Sequence, residues 1–568
     1  MSINKLPVDN WEKVDVSHIP NSDRPVSQHE LHGKGRFFGL FGGEHVAGTE
    51  FVIGATFVMW GVSAFDVIVG LILGNLLAVL TWALLTAPIA VQTRLTLYTY
   101  LEKISGASIQ KIYNAVNGIF FCIIAGAMVT VSASAIREIL NIPVQTTWYP
   151  TSVSFVALVL VIGAIVAIVA AYGFDSVTRF SSICAPWLGV IFVSGALVGL
   201  YHLVTTSSSV TGITSFSDFM VLANESIWIA NPNSSFTIFH VMAFAWICNL
   251  AMHGGMSDMA IFRYAKKASY GYISAVGMFF GHYIAWICAG IMGAAAAVIL
   301  STSLTELDAG AVAYQVLGTT GVVAVIIAGW TTSNPTIYRA GLAFQTIFSK
   351  YSVKTVTLAT GILVTLIACF PFAFTNLLGI LGFMGMILLP IGAIIVTEHW
   401  ILPKMGYTRY WAHYKGLKLN PAALYSWLIS GGFVILMSLT GWIHLFFLAV
   451  PTWIIASVTY VFFAGRFGAK EPYPEEKAKD RLIQEALKQE ADSAALAERE
   501  SRCQEGPTKF LNIYNIVAGL GIVSLLISSF MVFIGTMDLS MYKYVAFIST
   551  IMYFIFASFG QKMKKSVQ

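Results

Sequence analysis

Residues Phe37 to Gly61 read FFGLFGGEHVAGTEFVIGATFVMWG. The stretch is apolar and long enough to cross a bilayer, which takes about 20 such residues in a helix. Yet it holds Glu44, His45 and Glu50, and the adjacent glycines Gly42 and Gly43. Ionisable groups inside a membrane are costly, so each is a candidate for function. A glycine pair in a spanning helix reads in two ways. It is a close-packing point, or it marks a broken helix whose freed backbone groups bind solute. We expect Gly42 and Gly43 to let this helix unwind, so that its bare carbonyls face solute and ion rather than lipid.

A second stretch has the same character. Ala245 to Asp258 read AWICNLAMHGGMSD, again a glycine pair, a histidine and a nearby acid. It falls five apolar segments after the first. Two five-helix repeats would put the two stretches at equivalent positions. Interrupted helices at corresponding places in two halves point to a binding site near the bilayer midplane. The plain alternative is that both glycine pairs only pack and that Asp258 sits at a membrane surface.

Composition agrees with a membrane protein. Of 568 residues, 57% are hydrophobic and 11% charged, with a mean hydropathy of +0.74. A soluble chain carries about 25% charged residues. The net charge of +5 is spread in short loops, which argues against nucleic acid as a partner. The first 35 residues are polar and lack the apolar core of a cleavable leader, so the N-terminus is expected in the cytoplasm. Of six cysteines, five lie in apolar segments, none forms a CxxC pair, and small packing residues are the simplest reading. No HExxH, GxSxG or Walker loop falls where it would work, so an enzyme or an ATP-driven pump is not expected. No cofactor is expected beyond a coupling ion.

Apolar segments fall near 38–61, 66–92, 112–136, 152–173, 179–203, 236–262, 270–300, 312–345, 354–372, 374–398, 423–443, 445–465, 511–536 and 540–560, fourteen in all. Basic residues recur in alternate loops, at Arg94, Lys103 and Lys111, at Arg263, Lys266 and Lys267, at Arg339, Lys350 and Lys354, and at Lys404, Arg409, Lys415 and Lys418. The C-terminus adds Lys562, Lys564 and Lys565, whereas the long loop Thr205 to Phe236 has no Lys or Arg. This alternation places both termini in the cytoplasm. The stretch 470–506 is rich in Ala, Glu, Lys, Leu and Arg and reads as a cytoplasmic helical linker, solvated or bound to a partner.

The eighth segment holds AGWTTSNPTIYRAGLAF, Ala328 to Phe344. Its adjacent threonines bond back to carbonyls one turn earlier, or they ligate a hard cation such as Na⁺, which wants oxygens. The Ala328 carbonyl and the Thr331 and Thr332 hydroxyls can converge.

WTTSNPTIYRAGLAF resembles the eighth helix of the nucleobase:cation symporter-1 family, which includes the cytosine and purine-cytosine permeases. GVSAFDVIVGLILGNLLAVL (Gly61 to Leu80) resembles the family's second helix, and the run from Asp258 through Arg263 and Tyr264 its sixth-to-seventh junction. LLPIGAIIVTEHWI, around Pro390, is similar to its tenth-helix end. The resemblance spans roughly residues 36 to 465. It implies a leucine-transporter-like fold: an all-α polytopic membrane protein of two inverted five-helix repeats, with helices 1 and 6 broken. The domains would be a tail at 1–36, repeats at 37–203 and 236–398, helices 11 and 12 at 423–465, a charged linker at 466–508, and two extra helices at 510–562, about fourteen spans in all.

The resemblance further implies a Na⁺ site between helices 1 and 8. Its ligands would be the carbonyls of Glu44 and Ala47, the Ala328 carbonyl, and the hydroxyls of Thr331 and Thr332. The family sandwiches a planar ring between aromatics of helices 3 and 6. Here helix 3 lacks the family's tryptophan, with Ile119 in its place, so Phe120 and Phe121 are the candidates. On helix 6, Trp246, Asn249 and His253 share one face at i, i+3 and i+7. Gly48 and Glu50 on helix 1 and Asn334 on helix 8 complete the substrate candidates. Glu50 is unlike a typical member and has three competing roles: reading a ring N–H, carrying a proton, or pairing with His45 or another polar group.

The function implied is a symporter of the plasma (inner) membrane that imports a nucleobase or related small heterocycle, driven by Na⁺ or H⁺. The alternatives are an amino-acid or amine symporter of the same fold, and a solute sensor or channel.

Overall fold

The computed structural model describes residues 15, 16, 19, 24–145, 147–172, 174–501 and 510–566, with the side chains of 174–179, 182, 491–501, 510–512 and 562–566 outside that description. The tail before Asp15, residues 502–508 of the linker with Cys503, and the side chains of Lys562, Lys564 and Lys565 therefore lie outside the described residues. Among those described, the regular structure is helical, with no strand.

Fourteen apolar helices, α1 to α14, follow in order. Helix α1 is split into α1a (Lys34–His45) and α1b (Gly48–Met59). Then come α2 (Ala64–Thr93), α3 (Ala107–Ile139), α4 (Val153–Ala171) and α5 (Phe174–Thr206). Helix α6 is in three pieces, Ile238–Ile247, Leu250–His253 and Met259–Phe262. The rest are α7 (Ala268–Leu300), α8 (Thr319–Gln345), α9 (Val353–Ala368), α10 (Leu377–Lys404), α11 (Pro421–Thr440), α12 (Ala449–Phe467), α13 (Phe510–Phe533) and α14 (Leu539–Ser566).

Ten of these are long and apolar enough to span a membrane. The exceptions have physical causes. Helices α1 and α6 are broken, α9 has only 16 residues, and α8 carries the polar run at Thr331–Asn334. The segment read as one from 312 to 345 is two helices, Ala309–Leu317 and α8, because Gly318 between them takes φ +63°. Helix α4 is apolar on every side, yet Leu160, Val161, Ile165 and Ile168 are exposed. Such a surface is stable only against lipid.

The packing is pairwise symmetric. Helix α1b packs on α7, and the first piece of α6 on α2; α1a packs on α5, and the middle piece of α6 on α10. Helix α3 packs on α8 and α9, and α4 on α9 and α8. Exchanging each of the first ten helices with the one five places away turns each pairing into another of the set. Five is odd, so equivalent helices cross in opposite directions, and the two repeats are inverted.

Close approach needs small residues. A Cβ at Gly54 would strike the Trp286 carbonyl and the Ala289 methyl of α7, so only glycine lets α1b lie this near. The last two helices dock on α5. The Trp187 indole donates to the Thr550 hydroxyl (3.1 Å), and the Tyr553 hydroxyl donates to the Ile183 carbonyl (2.7 Å). The linker forms the helix Pro474–Ser501, with Asp480 3.5 Å from Lys103.

Candidate functional site: a cavity between two broken helices

The break in α1 is not where the glycine pair predicts. Gly42 and Gly43 lie inside α1a, where Gly43 packs close to the Ser181 backbone. The helix ends at His45, and Ala47 is extended at φ −119°, ψ 173°. Helix α1b then starts at Gly48, where a Cβ would come 3.0 Å from the backbone nitrogen of Gly329 on α8. A larger residue there would have to push that backbone aside by a few tenths of an ångström. Helix α6 is interrupted at Cys248 and Asn249, and again from Gly254 to Asp258, where Met256 takes φ +68°.

The two breaks face a shared cavity. It is lined by Glu44, His45, Ala47 and Glu50 of α1, Phe120 and Phe121 of α3, Asn249 of α6, His282 of α7, and Thr332 of α8, with α10 residues closing one side. Thus Glu44, Ala47, Glu50, Phe120, Phe121, Asn249 and Thr332 come together as one lining.

The other candidates stand outside it. Gly48 packs on α8. Trp246 turns to α2, its indole donating to the Thr81 hydroxyl (3.1 Å). His253 is fully buried, bonded to the Trp246 carbonyl (2.9 Å) and packed edge-on against Trp82. The shared face of Trp246, Asn249 and His253 fails because regular helix stops at Ile247. Asn334 is buried in α8 away from the lining, its Oδ1 without a hydrogen-bond partner.

On α8 the three expected oxygens do converge. The Thr331 and Thr332 hydroxyls donate to the Ala328 carbonyl at 3.0 and 3.1 Å. These are the bonds back to the preceding turn that the plain reading of the threonines gives, and the start of α1b lies against this part of α8.

The main electrostatic feature was misplaced by the sequence reading. Arg339, assigned above to a basic loop, is buried inside α8. Its guanidinium donates to both carboxylate oxygens of Glu44, one of them at 3.1 Å, and lies 3.4 Å from Asp258. Asp258 is 1% exposed rather than at a surface, and its other oxygen accepts from the Trp82 indole (2.8 Å). Arg339 therefore ties α1a, the loop of α6 and α8 together by a two-pronged ion pair and a second carboxylate.

Glu50 has a different setting. It accepts from the Trp286 indole of α7 and from the Thr49 hydroxyl (3.0 Å), and does not pair with His45. His282 stacks on Trp286 at 4.2 Å and bonds Asn249 (3.2 Å). It lies in a stretch of wider helical turns, Met278–Ala285, a distortion frequent at functional sites. Sequence reasoning missed Arg339, His282, Trp286 and Asn117, the last a buried amide of α3 that also lines the cavity. The signal for the first two was present, since each is an ionisable residue within an apolar segment.

No protein-family model matches the chain, and no curated protein matches it by sequence. Solved structures do match. One is a nucleobase-cation-symport-1 family transporter in a closed conformation with bromovinylhydantoin bound, at 15% identity, covering 81% of this chain and 99% of that one, with a TM-score of 0.61. Another is a Na⁺-coupled sialic acid symporter in a substrate-bound outward-open state, at 13% identity, covering 79% and 93%, with a TM-score of 0.53. The chain is thus a polytopic membrane protein of the leucine-transporter-like fold.

Proposed function

We propose that this protein is a cation-coupled secondary transporter that carries a small nitrogen heterocycle by alternating access. The observation that carries the reading is the cavity bounded by the breaks of α1 and α6 and walled by α3, α8 and α10. Broken helices free backbone groups for solute, and the pieces on either side can move separately. Phe120 and Phe121 bring aromatic rings to the lining, Phe120 the less buried of the two, and Asn249 brings an amide. The coupling ion would sit on the Ala328 carbonyl and the hydroxyls of Thr331 and Thr332, joined by carbonyls of Glu44 and Ala47. Its better binding to one conformation would supply the coupling free energy, and its gradient the drive. The basic loops would face the cytoplasm, as would the 474–501 helix.

The test is uptake into proteoliposomes. Labelled nucleobases, hydantoins and amines are offered with an inward Na⁺ gradient, an inward H⁺ gradient, or neither. Accumulation above equilibrium that an ionophore collapses supports the reading. Equilibration without accumulation would identify a channel, and binding without flux a sensor.

A further inference from the structure

The cavity contains one acid without a charged partner. Glu50 lines it, is 2% exposed and lies in the first turn of α1b. Both donors to its carboxylate, Trp286 and Thr49, are neutral. Among the described residues, no Lys, Arg or His forms an ion pair with it. Glu44, in the same lining, is answered by Arg339.

Three further polar atoms of the lining residues are buried without a hydrogen-bond partner: Asn117 Oδ1, His45 Nε2 and His282 Nδ1. Their roles follow from the bonds already made. His45 Nδ1 is 3.0 Å from the Phe41 carbonyl, which can only accept, so Nδ1 carries the proton and Nε2 is an acceptor. Asn117 donates its amide N–H to the Tyr98 hydroxyl (3.1 Å), which leaves its oxygen as an acceptor. His282 Nε2 faces the Asn249 amide nitrogen, a donor, so the free Nδ1 is the N–H. With the Asn249 amide, which keeps one N–H and its oxygen, three neutral acceptors and a carboxylate stand against two donors. A ligand that satisfies this set is rich in N–H groups. One that also neutralises Glu50 is a cation, since a lone carboxylate in an apolar wall is costly and an opposite charge beside it offsets that cost.

We propose that the cavity takes a planar, positively charged nitrogen compound, such as an amidinium or a protonated amino-heterocycle. Its N–H groups meet Glu50 and the free acceptors, and its ring lies on Phe120 or Phe121. This rests on the transport reading and names its substrate class. It also gives Glu50 a specificity-determining role as the counter-charge.

Two matched probe pairs test it on the purified full-length chain: benzamidinium against benzamide, and 2-aminoimidazolium against hydantoin, with affinities read by isothermal titration. The cation of each pair is expected to bind at least about tenfold tighter, the lower range of a hydrogen bond to a charged group. Glu50→Gln is expected to weaken the cation by about 10- to 100-fold and the neutral partner by less than about threefold. The retained neutral binding shows that the variant is folded. If Glu50→Gln does not fold, Glu50→Asp, which keeps the charge, must keep the cation preference. Equal or tighter binding of the neutral partners, or a preference unchanged in Glu50→Gln, overturns the proposal, as does failure of every probe to bind. A neutral heterocycle that is accumulated while its cation is refused overturns this inference and leaves transport standing. Cation binding with no gradient-driven uptake does the reverse.

Discussion

Arg339 grips Glu44 with both terminal nitrogens of its guanidinium, although the two residues lie 295 positions apart in sequence. The pair joins α8 to α1a just before the α1 break, and Asp258 brings in the loop of α6. Helices α1a and α8 line the cavity, and the α6 loop follows directly on the part of α6 that does. Motion of α1a or of the α6 loop away from α8 must therefore open this cluster.

Arg339→Met should be strongly destabilising. It leaves two buried carboxylates without a counter-charge, and removing one partner of a buried pair costs about 3–5 kcal/mol. Thermal unfolding in detergent should show a large fall in midpoint. The triple variant Arg339→Met, Glu44→Gln, Asp258→Asn should recover much of it. A single variant as stable as the wild type would show that the cluster carries no net charge pairing.

Thr331→Ala should separate ion binding from folding. The threonine hydroxyl loses a bond to its own helix, worth about 1 kcal/mol. If the α8 oxygens hold the coupling ion, replacing choline by Na⁺ should stabilise the wild type and not the variant. Equal Na⁺ stabilisation of both would move the ion elsewhere.

The two phenylalanines of α3 should behave differently. Phe121 is 3% exposed and belongs to a packed core, so Phe121→Ala should cost about 3–5 kcal/mol of stability. Phe120 is half-buried at the cavity, so Phe120→Ala should cost little stability but weaken an aromatic ligand by about 0.5–1.5 kcal/mol. Calorimetric titration beside thermal unfolding reads both. Matched losses in both variants would contradict this division.

Outside the membrane helices, Glu225 should titrate far from an ordinary carboxyl. The Ser207 and Ser208 hydroxyls and the Ser208 N–H hold its carboxylate down to about 2, from an ordinary 4.5. A depressed value means that the stabilisation is present above pH 4.5 and is lost as pH falls through about 2. Hydrogen exchange at Ser208 should therefore stay protected at pH 3, and Glu225→Gln should remove that protection at pH 7. Loss of protection already near pH 4.5 in the wild type would show that these bonds do not form.

Much of the fold was legible because a membrane helix advertises itself. Twenty apolar residues must make their hydrogen bonds internally, so each segment announces a helix whatever its neighbours are. The misreadings were of another kind. Gly42 and Gly43 signal small size, which serves close packing as well as a break, and Ser181 beside Gly43 decides for packing. Trp246 and His253 share a face only if the helix continues past Ile247, and it does not. Arg339 counted as a loop charge because a lone arginine near a segment end usually is one.

By itself the sequence determined the class of molecule, the helix order, the unusual polarity of the first and sixth segments, and the α8 oxygens, which lie within one helical turn. Those properties depend on local composition and spacing. Only the tertiary structure decided that α1 breaks at Val46 and Ala47, that Arg339 answers Glu44 and Asp258, and that Glu50 is left to two neutral donors. The position of the break follows from how closely α1b meets the α8 backbone. The charge pairing follows from which side chains meet across the fold. Neither can be read from local sequence, because both are contacts between segments far apart along the chain.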